Sequence, residues 1–269
     1  MKFGNAAWGF RETPLEKQLQ ITKNMGLNIL ELGIANAPND IQIGGDTKAV
    51  KALYEKYGID LVCAATGNDF STGNRDDESK IMSVIDMCAD MGVRYLRIFS
   101  GFSPAKEVSG DRWKTMIDCL KNIANYAAER KVIPVIETHG GVDSFPDGGV
   151  RHFHTVSTMP ELMIKMLSEL PENIGINYDP ANLYAVGIKN PDEVYQKIKN
   201  KVRYIHMKDF ATMPSGNLKP AACGESNMDW KIILDGIGER DVIALFEYEN
   251  TEDIESGALR SYNYIKQFI

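Results

Sequence analysis

The chain has 269 residues, 43% of them hydrophobic, enough to bury a sizeable core in a single domain spanning residues 1–269. A net charge of −7 and a pI near 5.2 argue against a nucleic-acid partner, which would need clustered Lys and Arg. No run of eighteen apolar residues occurs, so no membrane span is expected, and the chain starts without a leader-like stretch, pointing to a cytoplasmic protein.

The first strand is expected over residues 3–8, followed by a helix over 15–25 that Thr13 and Pro14 supply with a cap and a first-turn proline. Strands over 29–34, 60–65 and 95–100 then alternate with helices over 48–57, 78–91 and 113–129. Gly26, Gly58 and Gly92 fit the left-handed position just past a helix end. In the second half, strands over 133–139, 175–179, 202–208 and 244–249 alternate with helices over 161–170, 191–199 and 230–238 and a closing stretch over 254–268. Asn190 and Pro191 repeat the cap and first-turn proline. Eight strands alternating with eight helices read as an α/β fold, a (β/α)8 TIM barrel. The widely spaced Cys63, Cys88, Cys119 and Cys223 are expected as reduced, buried thiols.

One connection is unusually long. Between Glu137 and the helix near Met159 lie roughly twenty residues, including His139, His152 and His154. On the catalytic face of a barrel this loop is a candidate substrate lid, with His152 and His154 as candidate substrate contacts.

Four residue types suited to metals recur near the ends of consecutive strands: Glu137, Asp179, His206 and Glu247, spaced by 42, 27 and 41 residues. Each interval has room for a loop, a helix and the next strand, so the four side chains should converge on one rim. Strand alternation places Glu137 with His139, His206 with Tyr204 and Lys208, and Glu247 with Glu249. Glu249 lies further out, so Glu247 is the preferred ligand. Three carboxylates and an imidazole form a hard, oxygen-rich site that suits Mn²⁺ best, with Mg²⁺, Co²⁺ or Zn²⁺ as alternatives. The competing reading pairs Glu137 with a lysine, makes Asp179 a turn cap and leaves His206 as a hydrogen-bonded core histidine. Arg97 and Glu31 are expected to form a buried ion pair. Trp8, Phe10 and Trp113 are candidates for an apolar wall against a sugar ring.

The segments VIETHGG (135–141), NYDPANL (177–183), YIHMKD (204–209) and FEYE (246–249) resemble the four metal-ligand strands of the xylose-isomerase-like TIM barrels. These include sugar-phosphate isomerase/epimerase-type proteins, ketose 3-epimerases, hydroxypyruvate isomerase, inosose dehydratase and endonuclease IV. Trp113 with its helix and GESNMDW (224–230) also resemble recurring family segments, so the likeness covers nearly the whole chain. The resemblance implies that Glu137, Asp179, His206 and Glu247 bind the metal and that Glu137 and Glu247 double as acid/base residues. It also implies a tendency to form homo-oligomers. Asn182 stands where many members carry a histidine that contacts substrate or metal, so the substrate grip here is expected to differ. Asn182, Lys208 and His139 are then the candidate polar substrate contacts.

The favoured function is a metal-dependent isomerase or epimerase acting on a ketose or related keto-sugar, by proton abstraction next to the carbonyl. The alternative is a lyase or dehydratase acting on a keto-cyclitol or 3-keto-sugar. A hydrolase like endonuclease IV would need a histidine-rich zinc cluster and a basic groove, which four histidines and an acidic chain do not supply. A non-catalytic binding protein would have no use for both Glu137 and Glu247.

Overall fold

In the computed structural model, which describes residues 1–238 and 241–269, short parallel strands form a ring with their C-terminal ends on one rim. They are β1 (Lys2–Asn5), β2 (Ile29–Leu30), β3 (Leu32–Gly33), β4 (Cys63–Ala65), β5 (Tyr95–Ile98) and β6 (Ile133–Glu137). Two strands outside the ring follow, β7 (Gly141–Ser144) and β8 (Val150–Phe153). The ring resumes with β9 (Gly175–Tyr178) and β10 (Val202–Met207), and after β11 (Asp209–Thr212) and β12 (Leu218–Ala221) it ends with β13 (Ile243–Phe246). The ring order is β2-β1-β13-β10-β9-β6-β5-β4-β3, all parallel. β2 and β3 are two halves of one expected strand. The first pairs with β1 and the second with β4, and the chain through Glu31 joins them and closes the barrel. All eight expected strands are present, as the right-handed β/α alternation requires.

Helices α1 (Leu15–Asn24), α2 (Thr47–Tyr57), α3 (Glu78–Met91), α4 (Gly110–Glu129), α5 (Pro160–Glu169), α6 (Pro180–Ala185), α7 (Pro191–Ile198), α8 (Trp230–Ile237) and α9 (Ile254–Ile265) surround the ring. Asp46 starts α2 by accepting from the Lys48 and Ala49 backbone N–H groups, and Asp229 starts α8 by accepting from Ile232. Gly58 and Gly92 end α2 and α3 in the left-handed conformation, and Gly26 follows α1 with φ 75°. Thr13 does not cap α1: Pro14 is the flanking residue, and the Thr13 carbonyl accepts from Gln18 Nε2 at 2.7 Å instead. Asn190 flanks α7 but turns its amide to Glu193 Oε1 (2.8 Å) rather than to the helix backbone.

Alternation along the strands divides the core. Ala6, Ile29, Cys63, Val135, Tyr204 and Leu245 fill the barrel, while Ile136, Ile205, Phe246 and Tyr248 belong to the layer shared with the helices. The four cysteines are free and buried. Among the described residues no helix is long and apolar enough to cross a membrane.

The long connection after β6 is folded rather than open. β7 and β8 form a hairpin, β11 and β12 form a second, and together they make an antiparallel sheet in the order β11-β12-β8-β7. The loops after the fifth and seventh barrel strands therefore build a shared cap.

Gly257 in α9 lies where any Cβ would run into the Tyr248 ring. That ring cannot swing away freely, because its hydroxyl donates to Asp253 Oδ1 at 2.7 Å and it is buried. Gly→Ala inside a helix ordinarily stabilises, by roughly 0.5–1 kcal/mol, but here overpacking, typically about 1–3 kcal/mol, outweighs the gain. Gly257→Ala should lower the thermal unfolding midpoint in scanning calorimetry; an unchanged or higher midpoint would show that the ring yields.

Candidate active site

The barrel strands end before the residues of chemical interest do. Trp8, His139, Asp179, Lys208, Glu247 and Glu249 all lie just past their strands, where the ladder stops and side chains can lean over the rim. Glu137 is the last residue of β6, and His206 the penultimate residue of β10.

Glu137, Asp179, His206 and Glu247 come together there, with one ligand atom from each lying within 4.8 Å of the others. All four are buried to 1% exposure or less. His206 sits between the two glutamates: its Nδ1 is 3.2 Å from Glu247 Oε1 and 3.6 Å from Glu137 Oε1. Its Nε2 faces Glu31 Oε1 at 3.4 Å. Glu31 also accepts from Tyr204 Oη (2.8 Å) and the Ala7 backbone N–H (3.0 Å), so three groups hold it.

Asp179 has two roles. Its Oδ1 caps α6 by accepting from the Asn182 N–H at 3.0 Å, while Oδ2 is buried without a hydrogen bond. Asn182 does not reach the cavity; its Nδ2 donates to Glu137 Oε1 at 3.1 Å. It is thus a support for the Glu137 carboxylate. Glu137 pairs with Arg97, Nε to Oε2 at 3.3 Å. The expected Arg97–Glu31 pair is therefore replaced by Arg97–Glu137, because Glu31 is drawn to Tyr204 and Ala7. Lys208 Nζ donates to Glu247 Oε2 (2.8 Å) and Glu249 Oε1 (2.9 Å), and lies 3.4 Å from Asp179 Oδ2.

Crowding of carboxylates sets the protonation. Burial pushes the Glu137 carboxyl up, as does the Glu247 charge, but Arg97 and His206 outweigh both and bring it down to about 2. Burial also opposes ionisation of Glu247, and His206 and Lys208 overcome it, holding that group well below the usual range. Burial raises Asp179 to about 7, with Lys208 offsetting and the neighbouring glutamates reinforcing. His206 is pushed down by burial but lifted well above its ordinary value by Glu247 and Glu31.

The donor set fits a divalent cation. Asp179 Oδ2 and His206 Nδ1 are both buried with no hydrogen-bond partner, and both face the point where Glu137 and Glu247 converge. Five acidic groups, Glu31, Glu137, Asp179, Glu247 and Glu249, stand against Arg97, Lys208 and a protonated His206, with Asp179 itself raised to about 7. A bound cation would take the place of the protons on His206 and Asp179.

Above the cluster opens a cavity of about 460 Å³. Glu137, Glu247, Glu249, Lys208 and Arg97 form its floor, and Trp8, Phe99, Phe102 and His139 form its wall. The cap contributes Val142, Val150, His152, Phe210 and Pro220. His139 meets the rings of Phe99 and Phe102 edge-on at 5.3 and 5.4 Å, and burial lowers its pKa. His152 packs on Phe210 at 4.9 Å, and burial, with the charges of Lys208 and His139, brings it to about 3.

Other expected contacts lie elsewhere. Trp113 belongs to the helical layer, where its Nε1 donates to Glu169 at 3.2 Å and its ring lies under Lys165, tying α4 to α5. Phe10 is in the hydrophobic core. His154 falls past the end of β8 and is not among the lining residues; its carbonyl accepts from the Ala105 N–H. The wall residues Phe99 and Phe102 were not anticipated, although Phe99 directly follows β5 and Phe102 lies in the same loop, a position that marks the catalytic rim.

The chain was compared with known proteins by sequence and by fold. It matches no curated protein by sequence. Among solved structures it resembles the probable 3-DHS dehydratase AsbF involved in petrobactin synthesis from Bacillus anthracis, with a TM-score of 0.77 at 15% identity over 98% of this chain and 99% of that one. It also resembles D-allulose 3-epimerase from Methylomonas sp., with a TM-score of 0.76 at 14% identity over 100% and 98% of the chains. The IOLI protein with a bound zinc atom gives 0.72 at 16% identity over 100% and 99%. At identities this low the structural likeness shows the fold alone. The model of the xylose isomerase-like TIM barrel family matches residues 19–268, and the chain belongs to that family.

Proposed function

We propose that the protein is a divalent-metal-dependent isomerase or epimerase acting on a ketose or related keto-sugar, by removal of a proton next to the carbonyl. The observation that carries this reading is the pair Glu137 and Glu247, two buried carboxylates held ionised on either side of His206 at the floor of one cavity. Glu137, Asp179, His206 and Glu247 would hold the cation, and the oxygen-rich set suits Mn²⁺ best. When bound, such a cation supplies Lewis acidity that lowers the pKa of a C–H beside a carbonyl.

The side chains divide the proton work. Glu137 is held by Arg97 and Asn182, neither of which gives up a proton at neutral pH, so it is the base that removes the C–H proton. Glu247, which accepts from the Lys208 ammonium, would relay the returning proton, taking it from solvent or from a substrate hydroxyl, since Lys208 is itself held protonated well above its ordinary range. Return to the other face of the same carbon gives epimerisation, and return to the neighbouring carbon gives aldose–ketose isomerisation. His139 and Lys208, both on the cavity, are the polar contacts for substrate hydroxyls. A second reading, dehydration of a keto-cyclitol or 3-keto-sugar, shares the first step. It is favoured by the Lys208 ammonium on the cavity floor, which can hydrogen-bond a departing oxygen and offset its negative charge.

Proton NMR in D₂O over a panel of ketoses and keto-cyclitols tests the reading. The C–H signal next to the carbonyl should disappear only with metal-loaded protein, and the product separates epimerase, isomerase and dehydratase. No exchange across the panel, with metal shown to be bound, would overturn it.

Metal uptake should depend on pH in a defined direction. Without a cation Asp179 titrates near 7 and His206 well above its usual value, so both carry protons in mildly acidic solution. Ligation must expel those protons, and affinity therefore falls as pH is lowered, by about tenfold per pH unit for each proton displaced. Calorimetric titration with Mn²⁺ between mildly alkaline and mildly acidic pH measures the slope; a flat profile would rule out Asp179 and His206 as ligands.

A further inference from the structure

The cavity is divided by polarity along its depth. Its ionic groups, Arg97, Glu137, Lys208, Glu247 and Glu249, sit at or just beyond barrel strand ends. Its wall and cap are mostly apolar, with Phe99 and Phe102 from the loop after β5 and Val142, Val150, Phe210 and Pro220 from the cap, and with His139 and His152 as the polar side chains among them. Phe99 and Phe102 pack together at 4.7 Å and are buttressed by His139, so the wall is a fixed aromatic surface. Val142 is 44% exposed while lining the cavity, an apolar side chain with an unfilled face at the mouth.

A small polyhydroxylated sugar would satisfy the floor and leave this upper surface against water or against its own hydroxyls. His139 and His152 offer hydrogen-bond partners to a few hydroxyls, but burying the rest beside phenyl and valine side chains is unfavourable. A phosphorylated sugar fits no better, because the cations among the described lining residues, Arg97 and Lys208, are already ion-paired with Glu137, Glu247 and Glu249. A dianion there would meet the carboxylates as well. The volume of about 460 Å³ falls in the roughly 300–1,000 Å³ range of sites for larger, mostly apolar ligands.

We infer that the substrate has two parts, a keto-sugar or keto-cyclitol head on the ionic floor and an uncharged, ring-sized apolar substituent against Phe102, Phe210 and Val142. This specifies the substrate class of the proposed reaction and rests on that reading for the head; the apolar subsite rests on the cavity lining alone.

Binding is the test. Phenyl β-D-glucopyranoside, methyl β-D-glucopyranoside and glucose 6-phosphate are titrated into Mn²⁺-loaded protein by calorimetry, and saturation-transfer NMR with Mg²⁺-loaded protein maps which ligand protons touch it. The phenyl glycoside should bind roughly tenfold or more tighter than the methyl glycoside, with the strongest transfer on its ring protons, and the phosphate should bind weakest. In Phe210→Ala and Phe102→Ala the phenyl-over-methyl ratio should fall toward one, with circular dichroism confirming the fold. Equal affinities in the intact protein, tightest binding of the phosphate, or a ratio that survives both substitutions would each overturn the inference. Phenyl preference that depends on Phe102 and Phe210, together with no C–H exchange in any keto compound, would uphold the apolar subsite while removing the proton-abstraction reading. Exchange in free ketoses without phenyl preference would do the reverse.

Discussion

Glu137→Gln should reduce solvent exchange of the substrate C–H by about 10²–10⁴-fold, the usual contribution of a positioned general base. The amide keeps the size of the side chain, but its single oxygen can accept from only one of Arg97 and Asn182 and it is a weaker metal ligand, so the loss of exchange is read at saturating Mn²⁺ with the fold checked by circular dichroism. Lys208→Arg should behave differently. Arginine preserves the positive charge facing Glu247 and Glu249, and Lys208 is itself held protonated well above its ordinary range, so neither side chain gives up a proton at neutral pH. Exchange of the C–H and product formation should therefore fall together in Lys208→Arg, within about tenfold of the intact protein. Loss of product with exchange retained would show that Lys208 feeds the proton return, and full exchange in Glu137→Gln would move the base to Glu247.

Combining Asp179→Asn with His206→Gln should weaken Mn²⁺ binding by at least about 100-fold, since changing a residue that merely supports a ligand already costs about 10–100-fold. Asparagine still caps α6, and glutamine can still meet Glu31, so the barrel should remain folded. Thermal unfolding supplies an independent readout. Ligand at 100 times its dissociation constant stabilises by about 2.7 kcal/mol, so the intact protein should gain midpoint temperature with Mn²⁺ and lose it with a chelator. The double variant should show neither change. Undiminished affinity in that variant would eliminate the site.

The barrel was legible because its signals repeat: short runs such as IPVIE and YIHM, separated by helices of which the first three are followed by a glycine, recur eight times around the chain. The convergence of Glu137, Asp179, His206 and Glu247 followed from the same regularity, since a carboxylate or imidazole at the end of an apolar strand has few places to go. The cap was hidden for physical reasons. The hairpin of β7 and β8 is built from glycine, aspartate and histidine rather than β-branched runs, and β11 starts one residue after Lys208, so it reads as an extension of β10. Local pattern could not assign partners either. Arg97 had two acidic candidates and chose Glu137 because Tyr204 and Ala7 already occupy Glu31, a fact of three-dimensional packing. Trp113 carried the right composition for a sugar platform, but its helix turns it toward Glu169 and Lys165.

The floor and the cap come from different kinds of segment. Residues of the acidic cluster are anchored to the ring by parallel ladders on both sides, whereas the two hairpins of the antiparallel cap share one backbone pairing, Leu218 with Val150, and are otherwise joined by side chains, Arg151 and Asp147 to Asn217 and His152 against Phe210. Sequence drift in the hairpins can therefore reshape what is accepted without disturbing the ligand-bearing strands. A lineage built on this plan can exchange one substrate for another while its reactive chemistry stays in place, and an engineer can make the same trade by transplanting residues 141–153 between relatives.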